Sequence, residues 1–190
     1  MSTSGNLFVE GLPTDPSSIY STHFGANLLS YPFNGSAPIS ETIPDDAQQY
    51  ISGIIGEGVA ANHLGDGFWV GSLQQLEGGK GYWVIANEGF DFSYNPPSGL
   101  AKELTVKYQS RVPIGYEFEQ STRQAFYFIE EIIGAEEGDW IISYNDNVVV
   151  GAREWSGNFS DVPVMGYDED LNTAGYSEVG DKIRFKLFRP

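Results

Sequence analysis

The residues best suited to chemistry in this sequence lie in one acidic stretch, GYDEDLNTAGYSEVGD, at residues 166–181. Calcium takes six to eight oxygen ligands, and alternating carboxylate and amide side chains can supply them. The candidate calcium ligands are Asp168, Asp170, Asn172, Glu178 and Asp181. The stretch is not an EF-hand, because Thr173 and Val179 stand where that loop needs Gly and Glu. The alternative interpretation is a solvated turn, since Asp, Asn and Gly are also the usual turn residues.

Aromatic residues on or beside predicted strands form a second set of candidates. Exposed rings can stack on sugar rings, while neighbouring amides and carboxylates bind the hydroxyls. The candidate ligand-binding residues are Trp69, Tyr82, Trp83 and Trp155. The alternative is that they belong to the core, because alternation along a strand buries one of Tyr82 and Trp83. Trp155 is expected to be the most exposed, since it lies in the turn-like sequence EWSGN.

Motifs for catalysis are few. His23 and His63 lie in separate stretches, no G-x-S-x-G elbow occurs, and the sequence contains no cysteine. The sequence GEGVAA at 56–61 fits a dinucleotide fingerprint, but Gly65 and Gly67 follow too closely for the long helix that this motif requires. We therefore expect a protein that is not an enzyme. A glycoside hydrolase that uses two carboxylates is the alternative, although 26 acidic residues single out no pair.

The charge balance bears on the class of partner. The 190 residues include 26 acidic and 10 basic side chains, which gives a formal net charge of −16. Such a surface repels phosphate backbones and anionic membranes, so nucleic acid is not an expected partner. No apolar run approaches the length of a transmembrane helix, so membrane insertion is not expected either.

The elements that must position these residues are predicted to be mainly β, because short apolar runs alternate with glycine and proline. The sequence NPPSG at 95–99 predicts a linker between two modules. Residues 1–96 are predicted to form a small α+β module, with a core at about 20–94 and one short helix at 44–55. Residues 97–190 are predicted to form a β-sandwich-like module. The predicted strands lie at 27–33, 67–73, 81–86, 90–94, 104–108, 125–133, 140–144, 148–152, 159–165 and 182–188.

The last predicted strand carries a row of basic side chains on an otherwise acidic chain. Lys182, Arg184 and Lys186 alternate with apolar residues, so one face is predicted to be wet and the other buried. The basic face either protects an edge strand from pairing or meets an acidic patch on a second copy. The second interpretation predicts a homo-oligomer held by these three residues.

Several motifs resemble modules that are repeated in very large secreted or surface proteins of marine bacteria, and in related phage structural proteins. They are NLLSYPF, ISGIIGEGVAA, WVGSLQQLEGGKGYWV and the VPVMGYD loop, spread over 27–94 and 124–189. The resemblance implies an extracellular β-rich module at a cell or virion surface. It carries no catalytic residue over to this sequence.

Two functions of different classes are therefore predicted. The first is a non-enzymatic extracellular module, a spacer, structural subunit or adhesive unit, whose partners are other protein subunits. The alternative is a carbohydrate-binding module that holds surface glycans with exposed aromatics, with or without calcium. Exposed tryptophan and tyrosine side chains would favour the second function, and a flat interface repeated between subunits would favour the first. Two close carboxylates in a deep cleft would favour a hydrolase.

Overall fold

The computed structural model describes residues 15–97 and 111–190, and it is mainly β, as predicted. Within these ranges the chain forms fourteen strands, two α-helices of four residues each and one short 3-10 helix. Every predicted strand that falls in the described ranges overlaps an observed one. The predicted strand at 104–108 and the end of the predicted linker, 98–99, lie outside the described residues.

The first part of the chain, as described over residues 15–97, contains nine strands and both α-helices. In chain order they are β1 (Tyr20–Ser21), β2 (Gly25–Ser30), β3 (Ser36–Pro38), α1 (Ile39–Thr42), α2 (Asp45–Gln48), β4 (Ile51–Gly56), β5 (Val59–His63), β6 (Trp69–Gly71), β7 (Gln75–Glu77), β8 (Gly81–Ala86) and β9 (Asp91–Phe92). The main sheet is antiparallel, with strand order β2-β8-β4-β5-β6, and β3 pairs with β7 and β1 with β9. Its inner face packs on both helices around Ile39, Ile43, Ile54 and Leu76.

The helix predicted at 44–55 is wrong over most of its length. Only Asp45–Gln48 is helical, and Ile51–Gly56 forms β4 in the middle of the main sheet. The β4–β8 register shifts between Ile51 and Gly53, so a bulge adds one residue there. Because of that bulge Ile51 and Ile54, three residues apart, both point into the core. This spacing is the one that the sequence shares with an amphipathic helix.

The second part of the chain, as described over residues 111–190, contains five strands in two sheets. They are β10 (Gln124–Ile129), β11 (Trp140–Asn145), β12 (Val148–Glu154), β13 (Ser160–Met165) and β14 (Ile183–Phe188), with the 3-10 helix at Leu171–Thr173 before β14. The order β12-β11-β14 forms one sheet, and β10 pairs with β13 in the other. Strands β11 and β12 form a hairpin, and the turn between them holds Asp146 at φ 50°.

The two sheets of the second part pack against each other in the predicted sandwich-like manner. Ser143 Oγ on β11 donates to the Pro163 carbonyl on β13 at 2.8 Å. A Cβ atom at Gly151 would lie 1.9 Å from that same carbonyl oxygen, so β12 can approach β13 only with glycine there. All six residues of β13 are buried.

Strand β13 also contacts the first part of the chain, where it lies against β5 and β6. Among the described residues, no strand of 20–92 pairs with a strand of 124–188. The parts therefore meet through side chains, and the division at residue 96 stays a prediction. No helix of the described ranges combines the length and the apolar character needed to cross a membrane.

Candidate functional site

Two of the four candidate aromatic residues lie in the core, which corrects their predicted role in binding. Trp155 is only 9% exposed and packs against Ile141 and Val162. Its backbone N–H donates to the Asp139 carbonyl at 2.7 Å, so the chain stays fixed beyond β12 rather than turning outward. Tyr82 is buried too, and its hydroxyl accepts a hydrogen bond from a backbone N–H at 2.8 Å. The prediction that Trp155 would be exposed was therefore wrong.

Trp69 is half-buried and has partners inside the protein. Its ring stacks on the His63 imidazole, with ring centres 4.7 Å apart. Its indole N–H donates to the Gln48 Oε1 atom at 2.9 Å. Both the ring and the indole N–H of Trp69 thus have partners within the first part of the chain.

Trp83 is the candidate whose ring meets solvent, with 44% of the residue exposed. It lies on β8, the second strand of the main sheet, and pairs with Leu28 on β2 and Ile55 on β4. Leu28 is 62% exposed, whereas Ile55 is half-buried. Ile55 pairs in turn with Ala60 on β5, which is buried. The outer face of the sheet therefore carries an apolar strip that starts in solvent and ends beneath β13.

A groove of about 360 Å³ lies where this strip runs under the second part of the chain. The sheet contributes Leu28, Ile55, Gly56, Glu57, Gly81 and Trp83. The opposite wall consists of Gln120, Ser121, Thr122, Gln124 and Asp168. We call this feature the Trp83 groove. It brings together one predicted aromatic residue and one predicted calcium ligand, which lie 85 positions apart in the sequence.

The polar wall of the groove is fixed by its own hydrogen bonds. The Ser121 hydroxyl donates to the Gly166 carbonyl at 2.6 Å. The Thr122 N–H and hydroxyl donate to Asp168 Oδ2 at 2.9 and 3.1 Å. Gln124 Oε1 is buried, and it has no hydrogen-bond partner among the residues that the structure describes.

Asp168 fixes the acidic loop by accepting hydrogen bonds from several residues. Its Oδ1 accepts from the Thr173 hydroxyl at 2.7 Å and from the Asp170 N–H at 3.3 Å, in addition to the two bonds from Thr122. The Thr173 hydroxyl is the strongest of the donors that hold the pKa of Asp168 well below its ordinary value. The carboxylate is therefore ionised throughout the physiological pH range.

The other predicted calcium ligands also serve the local backbone. Asp170 caps the 3-10 helix by accepting from the Asn172 N–H at 2.8 Å. Asp181 accepts from the Glu178 N–H at 2.8 Å and from Asn145 Nδ2 at 3.1 Å. Within 15–97 and 111–190, no three Asp, Glu or His side chains gather in an arrangement that could hold a metal ion. Calcium binding by this loop stays a prediction.

The basic residues at 182–186 lie on β14 or directly before it. Strand β14 is an edge strand, since it is last in the order β12-β11-β14. Arg184 donates to the Asp146 carbonyl across the neighbouring turn. The Lys186 ammonium lies 4.8 Å from the centre of the Tyr144 ring, a cation–π contact. Two of the three basic side chains thus have intramolecular partners, and self-association through Lys182 and the others stays a prediction.

A buried ion pair joins the two parts of the chain outside the groove, and the sequence analysis did not single it out. Asp161 on β13 accepts from the Ser72 N–H and hydroxyl, both at 2.7 Å, and from the Ala60 N–H at 3.2 Å. Arg153 on β12 lies 3.1 Å from the same carboxylate and donates to the Gly58 carbonyl at 2.6 Å. Burial raises the pKa of Asp161 despite the opposing effects of Arg153 and Ser72.

A signal for this pair existed in the sequence. Arg153 directly follows the uncharged run VVVGA, and Asp161 is the charged residue within the run SDVPVM. A charge in such a run requires a partner. The groove residues Leu28, Ile55, Glu57 and Gln124 gave no comparable signal.

The comparisons with known proteins give no match: no family model, no curated protein and no solved structure matches this chain. The resemblance of its motifs to modules of large surface proteins therefore stays an expectation.

Proposed function

We propose that this protein is a non-enzymatic, adhesive binding module that holds a saccharide in the Trp83 groove. The observation that carries the proposal is the exposed ring of Trp83, flanked by two apolar side chains and faced by a wall of amides, hydroxyls and a carboxylate. The extracellular setting of such a module rests on the motif resemblance alone.

The geometry of the groove suits the chemistry of a sugar. Adjacent strands lie about 4.8 Å apart, so Leu28, Trp83 and Ile55 form one continuous apolar strip across three strands. A pyranose ring has an apolar C–H face that can rest on such a strip and hydroxyls at its edge. Gln120 and Gln124 lie on the facing wall, where amide groups can exchange hydrogen bonds with those hydroxyls.

The hydrolase alternative receives less support from the same groove. Glu57 and Asp168 both line it, so a carboxylate pair is present. A glycosidase needs one carboxyl group with a raised pKa as its proton donor. Asp168 has a lowered pKa because four donors stabilise its ionised form. The proton donor would have to be Glu57, which is an exposed side chain. We therefore favour binding without catalysis.

Binding to immobilised and soluble oligosaccharides tests the proposal. We expect Trp83→Ala to weaken binding about 5- to 150-fold, if ring stacking contributes on the order of 1–3 kcal/mol as it does for nucleobases. Phe68→Ala is the matched control, because Phe68 is an exposed aromatic residue that does not line the groove. Equal binding by wild type and the Trp83 variant would refute the proposed site.

A structural-subunit role is the second candidate, and exposed apolar side chains favour it. Leu28 lies on β2, an edge strand of the main sheet, and Phe24 lies just before that strand begins; both are largely exposed. A neighbouring subunit would cover them and remove apolar surface from water. Sedimentation distinguishes an interface at Leu28 from one at the basic residues before and on β14. The samples are wild type, Leu28→Ser, and a triple variant in which Lys182, Arg184 and Lys186 are replaced by Glu. A monomer under all conditions would leave saccharide binding as the better proposal.

A further inference from the structure

The charges that line the Trp83 groove are all negative. Among its described lining residues, Glu57 and Asp168 are the ionisable side chains, and none is a lysine, arginine or histidine. The whole chain carries a formal charge of −16, so the longer-range field has the same sign. An anionic ligand would therefore be repelled both at the groove and on approach.

The groove also offers hydrogen-bond acceptors that lack donors. Gln124 Oε1 is buried without a partner in the described ranges. Glu57 accepts no hydrogen bond there, and its side chain is exposed. Asp168 differs, because its two oxygens already accept four bonds from Thr122, Asp170 and Thr173. Asp168 thus contributes its charge to the groove, while the exposed Glu57 carboxylate contributes a site for a donor.

Lys80 is the basic residue that directly precedes the lining residue Gly81, and its ammonium lies 2.9 Å from the Glu77 carboxylate. The hydrogen bond to Glu77 is the main reason that the pKa of Lys80 is raised, and the charge of Glu57 adds less to it, so Lys80 is paired chiefly with Glu77. Arg123 lies between two residues of the polar wall, yet it does not line the groove itself. Trp83 adds a negative ring face, which attracts a cation held above it.

We propose that the Trp83 groove prefers a saccharide that carries protonated amines over its neutral and anionic counterparts. This inference rests on the proposed function, since it names the class of saccharide that the same groove takes. A sugar is favoured over a lone cation because the apolar strip spans three strands, which gives a ring a surface to lie on.

The test compares β-1,4-linked oligosaccharides of equal length by calorimetry with the full chain. One carries free amines, one carries the same amines acetylated, and one carries carboxylates. We expect the amine form to bind about tenfold more tightly than the acetylated form at low salt, and the carboxylate form to bind most weakly. The advantage of the amine should shrink as salt is raised toward 1 M, where the Debye length falls to about 3 Å.

Matched variants locate the charge effect. Glu57→Gln should lower the ratio of amine to acetylated binding severalfold. Glu131→Gln changes the net charge equally at an exposed position that does not line the groove, and it should leave the ratio unchanged. Trp83→Ala should weaken both ligands, which ties the measured binding to the groove.

The outcomes separate the inference from the proposed function. Binding that depends on Trp83 but is as tight for the acetylated or carboxylate form would overturn the amine preference alone. Binding of none of the three saccharides would overturn the proposed function as well. Equal competition by an oligolysine peptide of the same charge would show that the groove recognises charge without the sugar, and would overturn the assignment to a saccharide.

Discussion

Replacement of Asp161 by alanine is the substitution whose effect on stability the structure defines best. The carboxylate is buried between β13 and the first part of the chain, and it receives hydrogen bonds from Ala60 and Ser72 as well as the charge of Arg153. Alanine removes every acceptor at once. The donors that remain are enclosed by the two parts of the chain, where little water can replace the carboxylate.

The magnitude follows from what is left unpaired. The Arg153 side chain is only 13% exposed, so its guanidinium becomes a largely buried charge without its partner. Loss of one member of a buried ion pair costs about 3–5 kcal/mol. A folded domain is stable by about 5–15 kcal/mol in total, so this single change removes a large share of it. The double variant with Arg153→Ala should lose less than the sum of the two single losses.

Urea unfolding followed by circular dichroism measures the loss in free energy of unfolding. The matched control is Asp139→Ala, which breaks a second Asp–Arg pair with a 2.8 Å contact. Its partner Arg189 is 55% exposed, so water can solvate the arginine once the carboxylate is gone. We therefore expect the control variant to lose less stability than the Asp161 variant.

The pH dependence gives a second, independent measurement. Burial raises the pKa of Asp161 in the folded state, so the folded protein binds its proton more tightly than the unfolded chain does. Its contribution is complete below the ordinary pKa of about 4 and is lost as pH rises through the raised value. The stability of wild type relative to Asp161→Asn should therefore fall as pH rises above about 4.

The reasoning would be refuted by a loss for Asp161→Ala within about 0.5 kcal/mol, the range of ordinary surface substitutions. A loss no larger than that of the Asp139 control would refute it as well. Losses of the two single variants that simply add in the double variant would show that the pair is not coupled.

Three further outcomes can be measured in the same way. Trp155→Ala should cost about 3–5 kcal/mol in urea unfolding, as expected for a buried core tryptophan, and the small loss typical of an exposed residue would contradict its place in the core. The hydrogen bond from Arg189 lowers the pKa of Asp139, so the advantage of wild type over Asp139→Asn should be present above pH 4 and disappear as pH falls below about 4; an opposite slope would contradict this sign. Calcium binding by the acidic loop predicts a melting temperature several degrees higher in calcium than in chelator, abolished by replacing Asp168 and Asp170 with alanine, whereas equal melting would show that these carboxylates serve only the local backbone.

The strands could be predicted where the sequence alternates without interruption. Residues 182–186 place basic side chains at every second position, and β14 exposes Arg184 while it half-buries Ile183 and Phe185. The alternation fails at Leu187, which lies on the face predicted to be buried but is 40% exposed. The turn at 145–147 has the sequence Asn-Asp-Asn, which favours a hairpin turn because Asn and Asp tolerate a positive φ, and Asp146 adopts one. The bulge in β4 could not be predicted from alternation, because its one added residue gives the buried residues of the strand a helix-like spacing.

The site was predictable only in part. Alternation required that Tyr82 and Trp83 point to opposite faces, and they do, but it could not decide which of the two faces solvent. Trp155 was misjudged because a turn-like neighbourhood says nothing about a ring that folds back onto the core. The groove itself joins Trp83 to Asp168, and periodicity contains no information on which distant segments meet.

The burial of β13 on every side has a consequence for how the chain acquires its structure. The Asp161 carboxylate accepts hydrogen bonds from the backbone N–H groups of Ala60 and Ser72. Asp161 lies 101 residues after Ala60 and 89 residues after Ser72 in the sequence. A ribosome that adds about 5–20 residues per second needs roughly 5 to 20 seconds to make that stretch. During this time the outer face of the main sheet, with its unpaired amides and apolar strip, has no cover. Contacts of such sequence separation form slowly, so we expect the nascent chain to depend on chaperones until residue 165 has emerged.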